Sequence, residues 1–333
     1  MHVKITDVAE KAGVSIATVS LALNGNEKIN IRTRRHVAAV AQELGYRPNP
    51  SAKRLASRKS RQIGLVLPDI ENIYYAALAQ DTLNELRMSD YALIISSSMN
   101  SRQMERRIVS DMIGNQVEGL MIAPVEKPND NIEYLDALND AGIPYVFVTA
   151  SYPDLEHPCV MCDLYGGMKQ LLTRLYDRGL RRMALLSGAQ NVHCFDLRDG
   201  AFMDFCAEKG LEGCRVYHLD GIRYDDSFNH VRSMALEGLD GILCVNDMMA
   251  LGAINALKAR SLRVPEDIAV AGYDDSIFSR ISPVPITTVR QDVRRMAVSA
   301  ASWMLDCVRG NAPDPENLRL IPCEVQLRRS TER

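Results

Sequence analysis

From residue 61 onward, short runs rich in Ile, Val and Leu alternate with longer stretches of helical period, and this alternation restricts the 333-residue chain more than any other feature. Strand-like runs occupy 63–67, 92–96, 119–123, 145–149, 183–187, 216–219, 242–245 and 268–272. Helical periods occupy 75–87, 104–113, 166–177, 197–209 and 248–260. Continuous apolar strands separated by helices are buried on both faces, which calls for parallel sheets covered on each side. Eight such units over 273 residues suit two doubly wound lobes better than one. No GxGxxG follows the first strand, so a dinucleotide site is disfavoured.

The first 61 residues differ in charge. They hold twelve basic residues against four acidic ones, a net +8 that leaves −11 to the rest of a chain whose total is −3. A basic head on an acidic body is the footprint of one small domain meeting a polyanion. The head also has helical grammar. Val8, Ala9 and Ala12 share a helical face, and Gly13 supplies the residue that turns the chain. Ser15 caps a second helix anchored by Val19 and Leu23 and closed by Gly25, and Asn30 caps a third through Val37, Val40, Ala41 and Leu44, ended by Gly45. Two short helices joined by a tight turn, with a third closing the core, predict an all-α helix-turn-helix suited to the major groove of DNA.

The second helix sits in VSIATVSLALNG, residues 14–25, where Ile16, Ala17 and Leu21 face away from the core. These side chains can meet thymine methyls but cannot hydrogen-bond guanine, while Thr18, Ser20 and Asn24 can serve phosphates and the cap Ser15 completes the DNA-facing set. After Tyr46, Pro48 and Pro50 stop helix three, and residues 51–58 form a basic segment containing Lys53, Leu55 and Ala56. Its composition fits either an interdomain linker or a short helix that orders on a minor groove wedged open by an apolar side chain.

In open parallel sheets, ligands sit beyond the carboxyl ends of strands, so a cleft between two lobes joins two such edges. Candidate lining residues just past the strands are Asp69, Tyr74, Tyr75, Pro124, Val125, Asn246, Asp247, Asp274 and Asp275, with Arg198 as a partner. Several carboxylates, one Arg and two Tyr rings suit a polyhydroxylated ligand: carboxylates accept from paired hydroxyls and rings cover apolar sugar faces. Taken singly, each acid also fits a helix cap, Asp247 most obviously.

The runs ITDVAEKAGVSIATVSLALNG and GYRPNPSAKRLASRKSRQIGLVLPD, then VPEDIAVAGYDDS, PITTVRQD and CEVQLRRST, resemble the lactose and galactose repressor (LacI/GalR) family of bacterial transcription factors over essentially the whole chain. The resemblance implies a helix-turn-helix domain at 1–48, a hinge helix at 49–60 and a periplasmic-binding-protein-like body at 61–333. In that body, the lobe nearer DNA spans about 61–160 and 292–321, and the distal lobe about 161–291 and 322–333. It further implies a cytoplasmic, nucleoid-associated homodimeric repressor reading operator DNA with the second helix and inserting Leu55, its affinity switched by a small-molecule effector. The dimer face is expected from the helix after Tyr75 and from 276–281. By the same resemblance, Arg198 clamps effector, Asp247 opens the effector-side helix, one of Asp274 and Asp275 bonds effector, and Tyr74 and Tyr75 lie over it. Cys194 stands where the family tends to place a hydroxyl, Thr149 and Ala150 where it often has Asp and Arg, and Ile73 where it usually has Pro, so the cleft is less polar than a typical sugar pocket.

Other functions fit less well. None of the six His lies in an HExxH-like frame and no GxSxG elbow occurs, so no catalytic residue is expected. A solute-binding protein without DNA-dependent regulation would share the body but lack the basic head and carry a signal peptide, whereas the N-terminus here bears Lys4, Asp7, Glu10 and Lys11. No run of about 18 apolar residues exists, so no membrane contact is expected. Eight scattered cysteines include one CxxC, Cys159 and Cys162, without a second pair to complete a zinc site; no metal or cofactor is expected. The absence of a Leu-heptad tail after the last strand predicts a dimer and not a tetramer.

Overall fold

The computed structural model describes residues 3–46, 60–125, 132–152, 157–311 and 318–332. The chain divides into two compact units, residues 1–60 and 61–333. Lys53, Leu55, Ala56 and nearly all of the expected hinge lie outside the described residues.

The first unit packs α1 (Ile5–Ala12), α2 (Ile16–Leu23) and α3 (Ile31–Glu43) around one small core. Its centre is Val8, Val19 and Val37, all fully buried. Gly13 takes φ 64°, a left-handed conformation costly for residues with a Cβ, and this lets the chain double back into α2. Ser15 caps α2 by accepting from the Thr18 N–H at 3.1 Å, and Asn30 caps α3 by accepting from the Arg32 N–H at 2.9 Å. Arg34 Nη1 donates to the Gly25 carbonyl at 3.0 Å and fastens the end of α2 to α3. Ala22, not Leu23, is the second buried anchor of α2; Leu23 lies at the core's edge.

The second unit runs β1 (Gln62–Leu67), α4 (Ile73–Met88), β2 (Ala92–Ser97), α5 (Arg102–Gly114), β3 (Gly119–Ile122), α6 (Asp136–Asp140), β4 (Tyr145–Val148) and β5 (Cys159–Cys162). It continues through α7 (Leu164–Asp177), β6 (Met183–Ser187), α8 (His193–Glu208), β7 (Arg215–His218), α9 (Tyr224–Ser233), β8 (Gly241–Cys244), α10 (Asp247–Ala259), β9 (Ala269–Ala271), α11 (Ile277–Ile281) and β10 (Thr288–Arg290). It closes with α12 (Val293–Arg309), β11 (Leu318–Ile321) and β12 (Glu324–Gln326).

Two all-parallel sheets result. One has the order β11-β5-β4-β3-β1-β2, the other β7-β6-β8-β9, and β10 and β12 pair as a small antiparallel ladder. The N-lobe therefore takes its last strand and α12 from the C-terminal part of the chain, so three segments cross between lobes: after β5, between β10 and α12, and between β11 and β12. α12 presents Met296, Ala300, Trp303 and Met304 as a helical stripe to the N-lobe. A Cβ on Gly119 would lie 2.1 Å from Met304 Sδ, so any larger residue there would force the Met304 side chain of α12 to move.

The sequence reading missed β5. The run CVMC reads as thiol spacing, yet Cys159 and Cys162 are both buried, and the strand pairs with β4 on one side and β11 on the other. Residues 161 and 162 thus belong to the N-lobe sheet. The helices α9 and α12 were also not foreseen.

Candidate functional site

In each sheet the strand order reverses beside the first strand, between β1 and β3 in the N-lobe and between β6 and β8 in the C-lobe. At such switch points neighbouring loops leave in opposite directions and open a crevice. The loops after these four strands face one another across a cavity of about 670 Å³, to which they contribute Pro68 and Asp69, Pro124 and Val125, Ala189, and Val245 and Asn246. This volume suits one small ligand.

The floor is a buried polar array. Arg198 on α8 is 6% exposed; its Nε donates to the Cys194 carbonyl at 3.0 Å and its Nη1 to the Val245 carbonyl at 2.9 Å. The guanidinium lies over the Phe195 and Tyr273 rings, 5.3 and 5.1 Å from their centroids. It makes no hydrogen bond to Asp274, but its charge reaches that carboxyl: burial pushes Asp274 up to about 6, opposed by Arg198 and by a hydrogen bond from Gln291. Gln291 Nε2 donates to Asp274 Oδ1 at 2.7 Å, and Tyr74 Oη donates to Gln291 Oε1 at 3.1 Å. One side chain on the crossing between β10 and α12 thereby joins N-lobe α4 to the C-lobe acid.

Asp247 does not cap its helix. Asn246 does, accepting from the Met249 N–H at 2.7 Å, while its Nδ2 donates to the Ile222 carbonyl at 2.9 Å. Asp247, 1% exposed, accepts from the Ser276 N–H and from Thr288 Oγ1, each at 2.6 Å. Burial, with the Asp274 charge adding, pushes it up to about 8 against those hydrogen bonds. A Cβ on Gly272 would come within 2.4 Å of Asp247 Oδ1, so glycine is required for this approach.

Of the sequence-selected effector residues, Tyr74, Tyr75, Val125, Cys194, Arg198, Asn246, Asp247 and Asp274 all line the cavity. Tyr74 and Tyr75 meet edge to face at 5.3 Å. Asp275 is the exception. Its carboxylate turns away to bond Arg328 and Arg290, which hold it below the usual range although burial pushes it up. Asp274 and Asp275 are adjacent in the chain, and both have positive φ, 103° and 53°, so the consecutive side chains diverge. Thr149 also lines the cleft with φ 72°, a rare conformation for a β-branched residue. Sequence reasoning missed Gln291, Thr288, Ser276 and Arg223. Gln291 lies just past β10, whose Thr-Val-Arg lacks the continuous apolar run by which the parallel strands are read.

In the first unit, α2 leaves Ile16 49% and Leu21 38% exposed, and Ala17 is exposed beside them. The polar neighbours are partly engaged: the Thr18 and Ser15 hydroxyls lie 2.9 Å apart, and Asn24 Nδ2 donates to the Ser20 carbonyl at 2.8 Å.

A helix-turn-helix head with an exposed second helix, on a chain whose two-lobed body has a ligand-sized cleft, defines a ligand-responsive DNA-binding regulator. Comparison with known proteins gives the family. Residues 4–49 match the model for bacterial regulatory proteins of the lacI family, and residues 172–331 the periplasmic binding protein-like domain. The chain is 30% identical to catabolite control protein A of Priestia megaterium, covering 100% of both chains. It is similar to the Lac repressor dimer solved with operator and the anti-inducer ONPF (TM-score 0.88, 26% identity, 99% of both chains) and to the transcriptional regulator CelR solved with cellobiose (TM-score 0.72, 25% identity, 99% of this chain and 100% of that one). The chain belongs to the LacI family. It is a DNA-binding transcriptional regulator that responds to a small-molecule effector, and not an enzyme. Among the described residues, no helix is long and apolar enough to cross a membrane.

Proposed function

We propose that this regulator acts in the cytoplasm as a homodimeric repressor whose effector is a carbohydrate or carbohydrate derivative held between the lobes. The observation behind the effector class is the buried floor, where Arg198 and Asp274 stand beside Asp247 with Tyr74 and Tyr75 close by. Arg198 offers donors to ligand oxygens, Asp274 accepts from hydroxyls, and the Tyr pair covers an apolar ring face. Val125, Cys194 and Phe195 add apolar wall, which favours a sugar bearing an apolar substituent over a bare polyol. Cellobiose in CelR is in keeping with this class. Asn246 shapes the wall while its amide stays bonded to the protein, and Asp275 serves the crossing segments.

On DNA, α2 enters the major groove with Ile16, Ala17 and Leu21 against base edges and with Ser15, Thr18, Ser20 and Asn24 toward phosphates. Residues 49–60 act as the hinge, with Lys53, Leu55 and Ala56 at the central minor groove. A thermal-shift screen of monosaccharides, disaccharides, sugar phosphates and aryl glycosides, run beside nucleobases and amino acids, tests the effector class, because a ligand of the folded state raises Tm. At least one sugar is expected to raise the Tm of the full chain, and Arg198→Ala to abolish that rise while operator binding in a gel shift persists. A panel in which only non-carbohydrates stabilise the protein would refute the class.

A further inference from the structure

Contacts at the mouth of the cleft join the two lobes by charge. Arg223, the residue before α9 in the C-lobe, reaches the loop between β1 and α4 in the N-lobe. Its Nη2 donates to Asp69 Oδ2 at 3.2 Å, and its Nη1 lies 2.9 Å from Glu71 Oε2. All three residues line the cavity. Both sides are pre-positioned by local bonds: the Glu71 N–H donates to Asp69 Oδ1, and the Arg223 N–H donates to Asp226 Oδ2, each at 2.8 Å. The guanidinium therefore spans two carboxylates of the opposite lobe, while only the crossing segments connect the lobes covalently.

We infer that Arg223 is a clamp across the cleft mouth, and that its pairing with Asp69 and Glu71 sets how far the ligand-free lobes stand apart. The inference goes beyond the proposed effector class and rests on the two-lobed geometry alone. The Arg223 side chain is 62% exposed, and those of Asp69 and Glu71 are 23% and 73% exposed, so each pair is weak and screened by salt. Weakness suits the role, since a clamp that must release for a ligand to enter has to break readily. Because the clamp exists only when the lips meet, its free energy biases the closed state directly and is not shared with the stability of either lobe. This distinguishes it from Lys169–Glu208, whose partners both lie within the C-lobe.

The test uses the full ligand-free chain and amide hydrogen exchange read by mass spectrometry at residues 69–75 and 221–226. At low salt, Arg223→Ala is expected to exchange about threefold to fivefold faster than wild type in these segments, with β6 and β8 unchanged. Wild type in about 1 M salt, where the Debye length is about 3 Å, is expected to match the variant. Glu71→Arg with Arg223→Glu is expected to restore slow exchange relative to Arg223→Glu alone. The clamp is refuted if Arg223→Ala exchanges at the wild-type rate, if acceleration extends equally through β6 and β8, or if the charge exchange restores nothing.

Discussion

Behind the N-lobe wall of the cleft, Arg102 and Glu105 on α5 form an ion pair away from water, 9% and 0% exposed. Glu105 accepts from Arg102 Nη1 at 2.6 Å, from Tyr134 Oη, and through its other oxygen from the Val125 N–H at 2.7 Å. The guanidinium also lies over the Tyr152 ring, 4.8 Å from its centroid. Glu105→Ala leaves a buried cation without its carboxylate and a cleft-wall N–H without its acceptor. Removing one member of a buried pair costs about 3–5 kcal/mol. At roughly 2–4 °C per kcal/mol for a unit of this size, the body should melt about 10 °C lower by scanning calorimetry. Arg102→Met with Glu105→Leu removes both charges and fills the space, so the double variant should be more stable than the single one, the remaining cost being the unpaired Val125 N–H and Tyr134 hydroxyl. A single variant melting within about 2 °C of wild type, or a double variant no more stable than the single one, refutes this account of the pair.

Two further outcomes follow from the sites. Asp247 and Asp274 hold protons in the folded state at pH values where the unfolded chain has released them, so these groups make stability fall as pH rises from about 4 toward 8. Asp247→Asn should flatten that fall when urea midpoints are compared across the range; an unchanged slope would remove Asp247 as its source. Selection of bound sequences from random DNA should give half-sites with thymine facing Ile16 and Ala17, since both are exposed and apolar. Guanine fixed at those positions would overturn the thymine reading of α2.

Much of the site was legible because strand ends are legible. A buried parallel strand announces itself by composition, and the residue after it must lie at the sheet edge; Val125, Asn246 and Asp274 were found in this way. Arg198 was found differently, as the basic partner offered by the run NVHCFDLR and by its match to the effector-clamping Arg of the family. What the sequence concealed were residues whose role depends on a partner remote in the chain. Gln291 bonds Tyr74, Thr288 bonds Asp247, and Arg223 meets Asp69, and no local period marks such pairs. The strand β5 was concealed because CVMC reads as thiol spacing, and β10 because Thr-Val-Arg, in a short antiparallel ladder, lacks the continuous apolar run that marks the parallel strands.

The sequence by itself determined the helix-turn-helix head, with its caps at Ser15 and Asn30, and the parallel, doubly wound character of the body. Those features arise from local propensity, capping and hydrophobic period, which act over a few residues. Only the tertiary structure decided which of two adjacent acids faces the cleft. Positive φ at Asp274 and Asp275 sends the first toward Gln291 and the second toward Arg290 and Arg328. It also decided that Asn246 caps α10 while Asp247 turns inward to Thr288 and Ser276. Each acid turns toward donors remote from it in sequence, and only the folded chain brings those donors near.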